Sequence, residues 1–347
     1  MQSEVYKDAT EDSRADVFLL SHLAAEHFYK LMTLDDAQGS ANASVLAFWD
    51  LLTSKNTPGR DTIPALNFTS PSVLAAAAAR FGNNNFVIHD ARLVPYAHGV
   101  FALASRSFNH SCKPNTASMF EPTQGGIQMV VKLLEDVGDG QEICISYTDP
   151  ASPHSKRRDA LEHVYGFSCQ CPRCAHDISA ASLSLGPENA VQLRHQIESS
   201  VEAQIRNEQS TLDTLRDELG PVLPFLDGVL LKCLPIWTTE FSTASHDGPY
   251  DKALSCGNAV LGVYLLVYPG IHPLLELHCL ELCKVAWNHF ITSVAPGQPD
   301  SMHVKGAALT YFRWAKKVAG LLHEGLEVSR ASIVSEYDAL ESCLREE

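Results

Sequence analysis

Residues 165–174 read Tyr-Gly-Phe-Ser-Cys-Gln-Cys-Pro-Arg-Cys, and residues 108–115 read Phe-Asn-His-Ser-Cys-Lys-Pro-Asn. The first stretch sets Cys169, Cys171 and Cys174 in a C-x-C-x2-C run. Three thiolates so spaced wrap one side of a tetrahedral Zn²⁺ and leave its fourth position open. Cys112 can close it, and its neighbours have the character of a site loop rather than of a metal knuckle. A shared metal would then tie the 109–115 loop to a distant downstream segment and hold two halves of a binding site together. The competing reading is four unrelated small hydrophobes, but a C-x-C-x2-C run is rare by chance.

The bulk composition agrees with a folded chain. The sequence has 347 residues, 45% hydrophobic and 19% charged, enough to build sizeable cores and to span two or three domains. Net charge is −15 and is spread along the chain: 14 Lys+Arg against 20 Asp+Glu through residue 178, then 12 against 21. No basic block appears, which argues against direct binding to a nucleic-acid backbone. An acidic surface instead tolerates a cationic, lysine-bearing protein partner. Residues 1–16 are polar and carry no apolar signal core. The apolar run from Val222 to Leu234 is broken by Pro224, Asp227, Gly228 and Lys232, so no membrane contact is expected. Ten cysteines at this length are too few for a disulfide scaffold. A reducing compartment, cytoplasmic or nuclear, is therefore expected, with the clustered thiols serving a metal.

Periodicity divides the chain. Residues 14–33 and 43–54 repeat apolar residues at helical steps, and Ser70-Pro71-Ser72 opens a short helix through Ala75–Ala79 that Gly82 and the three asparagines after it end. Short β-branched or aromatic runs follow at 86–88, 99–104, 117–120, 127–133 and 142–147, with turns at Gln124-Gly125-Gly126 and Gly138-Asp139-Gly140. Residues 156–165 read as a helix stopped by Gly166. Helices are expected again over 187–218, 225–234, 251–268, 273–292, 303–323 and 327–344, punctuated by prolines that include Pro235. The last four could pair as helical hairpins, like a degenerate solenoid. The expected class is α+β, with a β-rich centre between helical ends.

In order and spacing, residues 83–178 resemble the C-terminal half of a SET methyltransferase domain with its post-SET zinc site, of the SMYD type. The resemblance rests on Asn84 to Ile88, Gly99 to Ala102, Phe108 to Asn115, Gly140 to Tyr147, Arg157-Arg158-x2-Leu161 and Tyr165 to Cys174. A weaker likeness at Tyr264 to Pro273 marks the start of the family's helical, TPR-like C-terminal domain. The resemblance implies a helical SET-insertion-like region at 1–82, the SET core at 83–150, a post-SET zinc segment at 151–178 and a helical domain at 179–347. It implies transfer of a methyl group from S-adenosylmethionine to a protein lysine. Asn84, Asn109, His110, Tyr147 and Phe167 would serve the cofactor, and Phe86, Tyr147 and Tyr165 the lysine channel, with both tyrosines catalytic. Zinc would be held by Cys112, Cys169, Cys171 and Cys174, and without it Tyr165 and Phe167 would lose their placement. Taken alone, Tyr147 is a sheet-edge aromatic, Asn109 and Asn115 are turn formers, His110 is a satisfied structural histidine, and Arg157-Arg158 is a solvated helix face. Cys144, His272, and the pairs Cys279/Cys283 and His278/His289 read as packing or folding residues.

Two family features are missing. No Gly-x-Gly turn precedes residue 83, and no cysteine precedes Cys112, so the MYND finger is absent from this sequence. The chain is expected to enter the domain midway. Two expectations follow: an N-terminally truncated form of an active enzyme, or an inactive zinc-braced scaffold whose helical half recruits a protein partner.

Overall fold

The computed structural model describes residues 25–32, 34, 49, 70–180, 187–293 and 299–345. The helix expected at 43–54, and most of that at 14–33, lie outside the described residues. Of the latter, α1 (Ala25–Met32) is helical. α2 (Pro71–Asn84) begins as expected, with Ser70 Oγ accepting the Val73 N–H at 3.4 Å and Pro71 in the first turn. It ends among the asparagines, where Asn84 Nδ2 donates to Arg80 O at 2.7 Å.

β1 (Asn85–His89) and β2 (Pro95–Val100) pair as a hairpin. Its turn is held by Asp90, whose Oδ1 accepts the Arg92 and Val94 amides, each at 2.9 Å. The strand expected at 99–104 stops at Val100, and α3 (Ala102–Ser107) takes its place. Ala102, Leu103 and Ala104 favour helix over strand, and local propensity wins there. β3 (Asn109–His110) is followed by the hairpin β4 (Thr116–Thr123) and β5 (Gly126–Leu133), registered Thr116 to Leu133 and Thr123 to Gly126. Gly126 has φ +134, a value that suits only glycine in this turn. The strand expected at 142–147 is reduced to β6 (Cys144–Ile145), which pairs with β3. The Asn115 amide occupies the backbone there, donating to Glu142 O at 2.9 Å and accepting the Cys144 N–H at 2.8 Å.

α4 (His154–Ala160) passes into a π turn at Leu161–Tyr165 that ends at Gly166 in left-handed geometry. α5 (Pro172–Ala180), not expected from the sequence, begins within the cysteine run and carries Cys174. The single helix expected at 187–218 is two, α6 (Pro187–Ile205) and α7 (Leu212–Glu218). A reciprocal cap restarts the second: Thr211 Oγ1 accepts the Thr214 N–H, and Thr214 Oγ1 accepts the Thr211 N–H. After a 3₁₀ turn (Gly220–Phe225) and a π turn (Leu226–Leu230), α8 (Leu231–Asp247) runs through Pro235. Proline removes one donor but does not end a helix packed on either side, here by Leu231, Leu234 and Trp237. α9 (Tyr250–Val267), α10 (Pro273–Ser293), α11 (Pro299–Leu322) and α12 (Glu327–Arg345) lie close to their expected spans, and consecutive helices from α8 to α12 pack on one another. The helical run Gly220–Asp247 is long and apolar enough to cross a membrane by length and composition, contrary to the sequence reading. Leu226, Leu230, Leu231 and Leu234 within it are buried in the helical core, a pattern a packed core helix also produces.

The chain divides into two compact units. The first comprises residues 1–88, 97–109 and 160–168, and the second comprises 89–96, 110–159 and 169–347. In the first, Phe28, Leu31 and Leu34 pack with Leu74, Ala77 and Phe81. In the second, Ile197, Leu215, Leu230, Val260, Leu282 and Trp314 belong to one large core. Gly262 sets how closely α9 approaches α6: a Cβ there would lie 2.2 Å from Ile197 Cγ2, a branch fixed next to its own Cβ. Gly262→Ala should therefore destabilise the protein by about 1–3 kcal/mol, measured by urea titration.

Candidate metal centre and active site

The four cysteines converge within the second unit. Their sulfurs all lie within 4.8 Å of one another, and Cys112 Sγ and Cys174 Sγ are 3.6 Å apart. Zn–S bonds of about 2.3 Å at tetrahedral angles require sulfurs about 3.8 Å apart, so this donor set fits one zinc ion. β3 and the turn after it deliver Cys112, the extended segment before α5 delivers Cys169 and Cys171, and the first turn of α5 delivers Cys174. Cys112 and Cys174 are buried, and Cys169 and Cys171 are half-buried. Crowding alone disfavours four charges. Hydrogen bonds from Cys112 and Cys174 hold the Cys171 thiol far below its usual value, while hydrogen bonds with Cys112 and Cys171 push Cys174 up. Cys112 is likewise raised to about 11, chiefly by its bond with Cys171. A divalent cation is what lets all four ionise together. Among the described residues this is the one cluster of metal-donor side chains. His278 instead bonds Gly257 O at 2.8 Å within the core, as expected of a packing residue.

Charged and polar groups surround the metal ligands. Arg173 Nη1 donates to Cys112 O at 3.0 Å. The Arg157 guanidinium lies where it acts on the Cys112 thiolate and pairs with Asp177 at 2.6 Å, both side chains being almost wholly buried. This corrects half of the sequence reading: Arg158 is solvated, but Arg157 is an interior charge. A Zn(Cys)₄ site carries net charge −2, and two buried arginines offset it. The signal was the Arg157…Arg173…Asp177 spacing, which reads as surface charge until the fold brings it to the sulfurs. Asn115, read as a turn former, is buried and spans 142–144 as described above.

His110 follows the same pattern. Its Nε2 lies 3.2 Å from Cys112 Sγ, its Nδ1 accepts the Tyr147 N–H at 2.9 Å, and the two rings stand 5.3 Å apart. Burial pushes its pKa down to about 4, so the imidazole is neutral at physiological pH. The structure thus brings His110, Tyr147 and the four cysteines together in the second unit. Asn84, Phe86, Asn109, Tyr165 and Phe167 belong to the first. There Phe86 packs edge-on against Phe101 at 5.8 Å, and the Tyr165 and Phe167 rings are 6.5 Å apart. Burial raises the Tyr165 phenol.

Residues 3–148 match the family model described as SET domain. The chain is 25% identical over 217 residues to the histone-lysine N-methyltransferase SMYD3 of Homo sapiens, covering 61% of this chain and 49% of that protein. It is 34% identical over 118 residues to the histone-lysine N-methyltransferase ASHR1 of Arabidopsis thaliana, covering 33% and 24%. It is 31% identical over 109 residues to the N-lysine methyltransferase SMYD2-B of Danio rerio, covering 31% and 24%. The chain is thus similar to SET domains along residues 3–148, and the proteins it resembles are of the SMYD and ASHR types. Its SET match begins at residue 3, well before the motifs at 84–115 that carry the likeness by eye. The chain spans about half or less of the length of these relatives.

The purified protein should carry about one zinc per chain by atomic emission, and Cys171→Ser should lose both metal and compactness. Asp177→Ala should cost about 3–5 kcal/mol in denaturant titration, because it strands two buried guanidinium charges.

Proposed function

We propose that this chain acts as an S-adenosylmethionine-dependent protein-lysine N-methyltransferase. The observation that carries the proposal is the joining of the metal ligand Cys112 to Tyr147 through His110, inside a SET-domain match. The names of the similar SMYD and ASHR proteins supply the reaction class.

The residue types suit the cofactor. Asn84, Asn109 and His110 are neutral polar groups that suit an adenosine, and the rings of Phe167 and Tyr147 suit an adenine and a sulfonium cation. When bound, S-adenosylmethionine supplies an electrophilic methyl group on that sulfonium. The work left to the protein is to deliver a neutral amine. A lysine has an unperturbed pKa near ~10.4, and an apolar, aromatic channel disfavours the ammonium form. We assign Phe86, Tyr147 and Tyr165 to that channel, with the two tyrosine hydroxyls orienting the amine as catalytic groups. Partial burial raises the phenol of Tyr165, which favours its hydroxyl as a donor. Alignment and exclusion of water then account for most of the acceleration.

The proposed substrate is a protein lysine in a basic surrounding, consistent with the net charge of −15. The helical domain that begins at residue 179 is a candidate protein-binding surface. Ten free cysteines fit the reducing cytoplasm or nucleus.

Calorimetric titration of the zinc-loaded chain with S-adenosylmethionine should show binding, and mixed lysine peptides should become methylated. Tyr147→Phe should bind the cofactor yet lower the methylation rate about 100-fold. Absence of cofactor binding by folded, zinc-loaded protein would end this reading.

A further inference from the structure

The imidazole of His110 sits between two groups that leave its proton one position. A backbone amide can only donate, so Nδ1, 2.9 Å from the Tyr147 nitrogen, is the acceptor. A neutral ring that accepts at Nδ1 carries its hydrogen on Nε2. That Nε2 lies 3.2 Å from Cys112 Sγ, a wholly buried sulfur. Protonating both nitrogens would set one N–H against another at Tyr147. The ring is therefore a directed bridge, donating to sulfur at one end and accepting from main chain at the other.

We propose that His110 is a positioning residue that couples the metal centre to Tyr147. The metal fixes Cys112 Sγ, the sulfur holds the imidazole through Nε2–H, and Nδ1 sets where the Tyr147 backbone stands. β6 ends at Ile145, and Tyr147 lies in a bend beyond it. Zinc loss would then reach Tyr147 directly and not only through general loosening of the fold. The meaning of Tyr147 rests on the methyltransferase reading, whereas the coupling needs only the metal centre. The sequence hides this role: a histidine two residues from a cysteine is ordinary, and the partner amide lies at residue 147.

Two amide side chains separate the two ends of the bridge. Asparagine places its oxygen where Nδ1 stands, keeping the acceptor and losing the donor to sulfur. Glutamine places its nitrogen where Nε2 stands, keeping the donor and losing the acceptor. Zinc content of the wild-type chain is measured first, followed by zinc affinity by chelator competition. Hydrogen exchange is read at the Tyr147 amide, with amides of α9 as an internal reference. His110→Asn should weaken zinc binding about 10–100-fold. His110→Gln should leave zinc affinity within about twofold yet speed Tyr147 exchange about tenfold, the loss of one hydrogen bond. Zinc removal should speed Tyr147 exchange in the wild type and leave it unchanged in His110→Gln. Equal effects of both variants on both readouts would reduce His110 to packing and overturn the coupling. Should either variant fail to fold, the imidazole ¹⁵N spectrum of the wild-type zinc protein decides: hydrogen on Nε2 upholds the bridge, and hydrogen on Nδ1 overturns it. Bound zinc without coupling would defeat this inference alone, while a chain that binds no zinc would defeat the metal centre beneath it.

Discussion

Four sulfurs held within a few ångströms of one point are an unstable arrangement without a cation. They can share hydrogen bonds only by leaving some thiols protonated, so their shared ionisation waits for a metal. Cys112 comes from the loop after β3, Cys169 and Cys171 from the segment entering α5, and Cys174 from the first turn of α5. The metal thus closes a long loop of chain, and its binding energy is in effect folding energy for that loop. The same point lies one hydrogen bond from His110 and two from Tyr147.

The neighbourhood of the sulfurs is electrostatically matched. Arg157 and Arg173 are buried beside a centre whose net charge would be negative, and Asp177 holds both guanidinium groups in register. Such charges are tolerable inside a protein only as a set, because each alone would leave an uncompensated ion in a poor solvent. Zinc and arginines therefore belong to one design. Either part without the other would be costly.

The chemistry proposed for the chain asks little of acid–base groups, and the structure is consistent with that. His110 is held neutral, and burial raises the Tyr165 phenol. Neutral polar groups and aromatic faces predominate among the residues assigned to the cofactor and the lysine. This is a composition for orienting a cation and drying an amine.

How much could be read beforehand differs from place to place. Cysteine spacing, the Asn-His-Ser-Cys loop and Gly166 were legible because each expresses a short-range rule: ligand geometry, turn chemistry, or a left-handed backbone. The last four helices were legible too, since an apolar face repeats along each. The reading failed where partners come from far along the chain. Arg157 looked solvated until Asp177 and Cys112 surrounded it, and Asn115 looked like a turn until its amide replaced the strand bonds of 142–144. Pro235 looked like a stop until packing on both sides carried α8 through it. The sequence by itself determined which residues can ligate zinc and which segments can be helices, because those properties are local. Only the tertiary structure decided that His110 bridges sulfur to the Tyr147 amide. A hydrogen bond needs both partners in place, and 37 residues of separation leave no local trace of it.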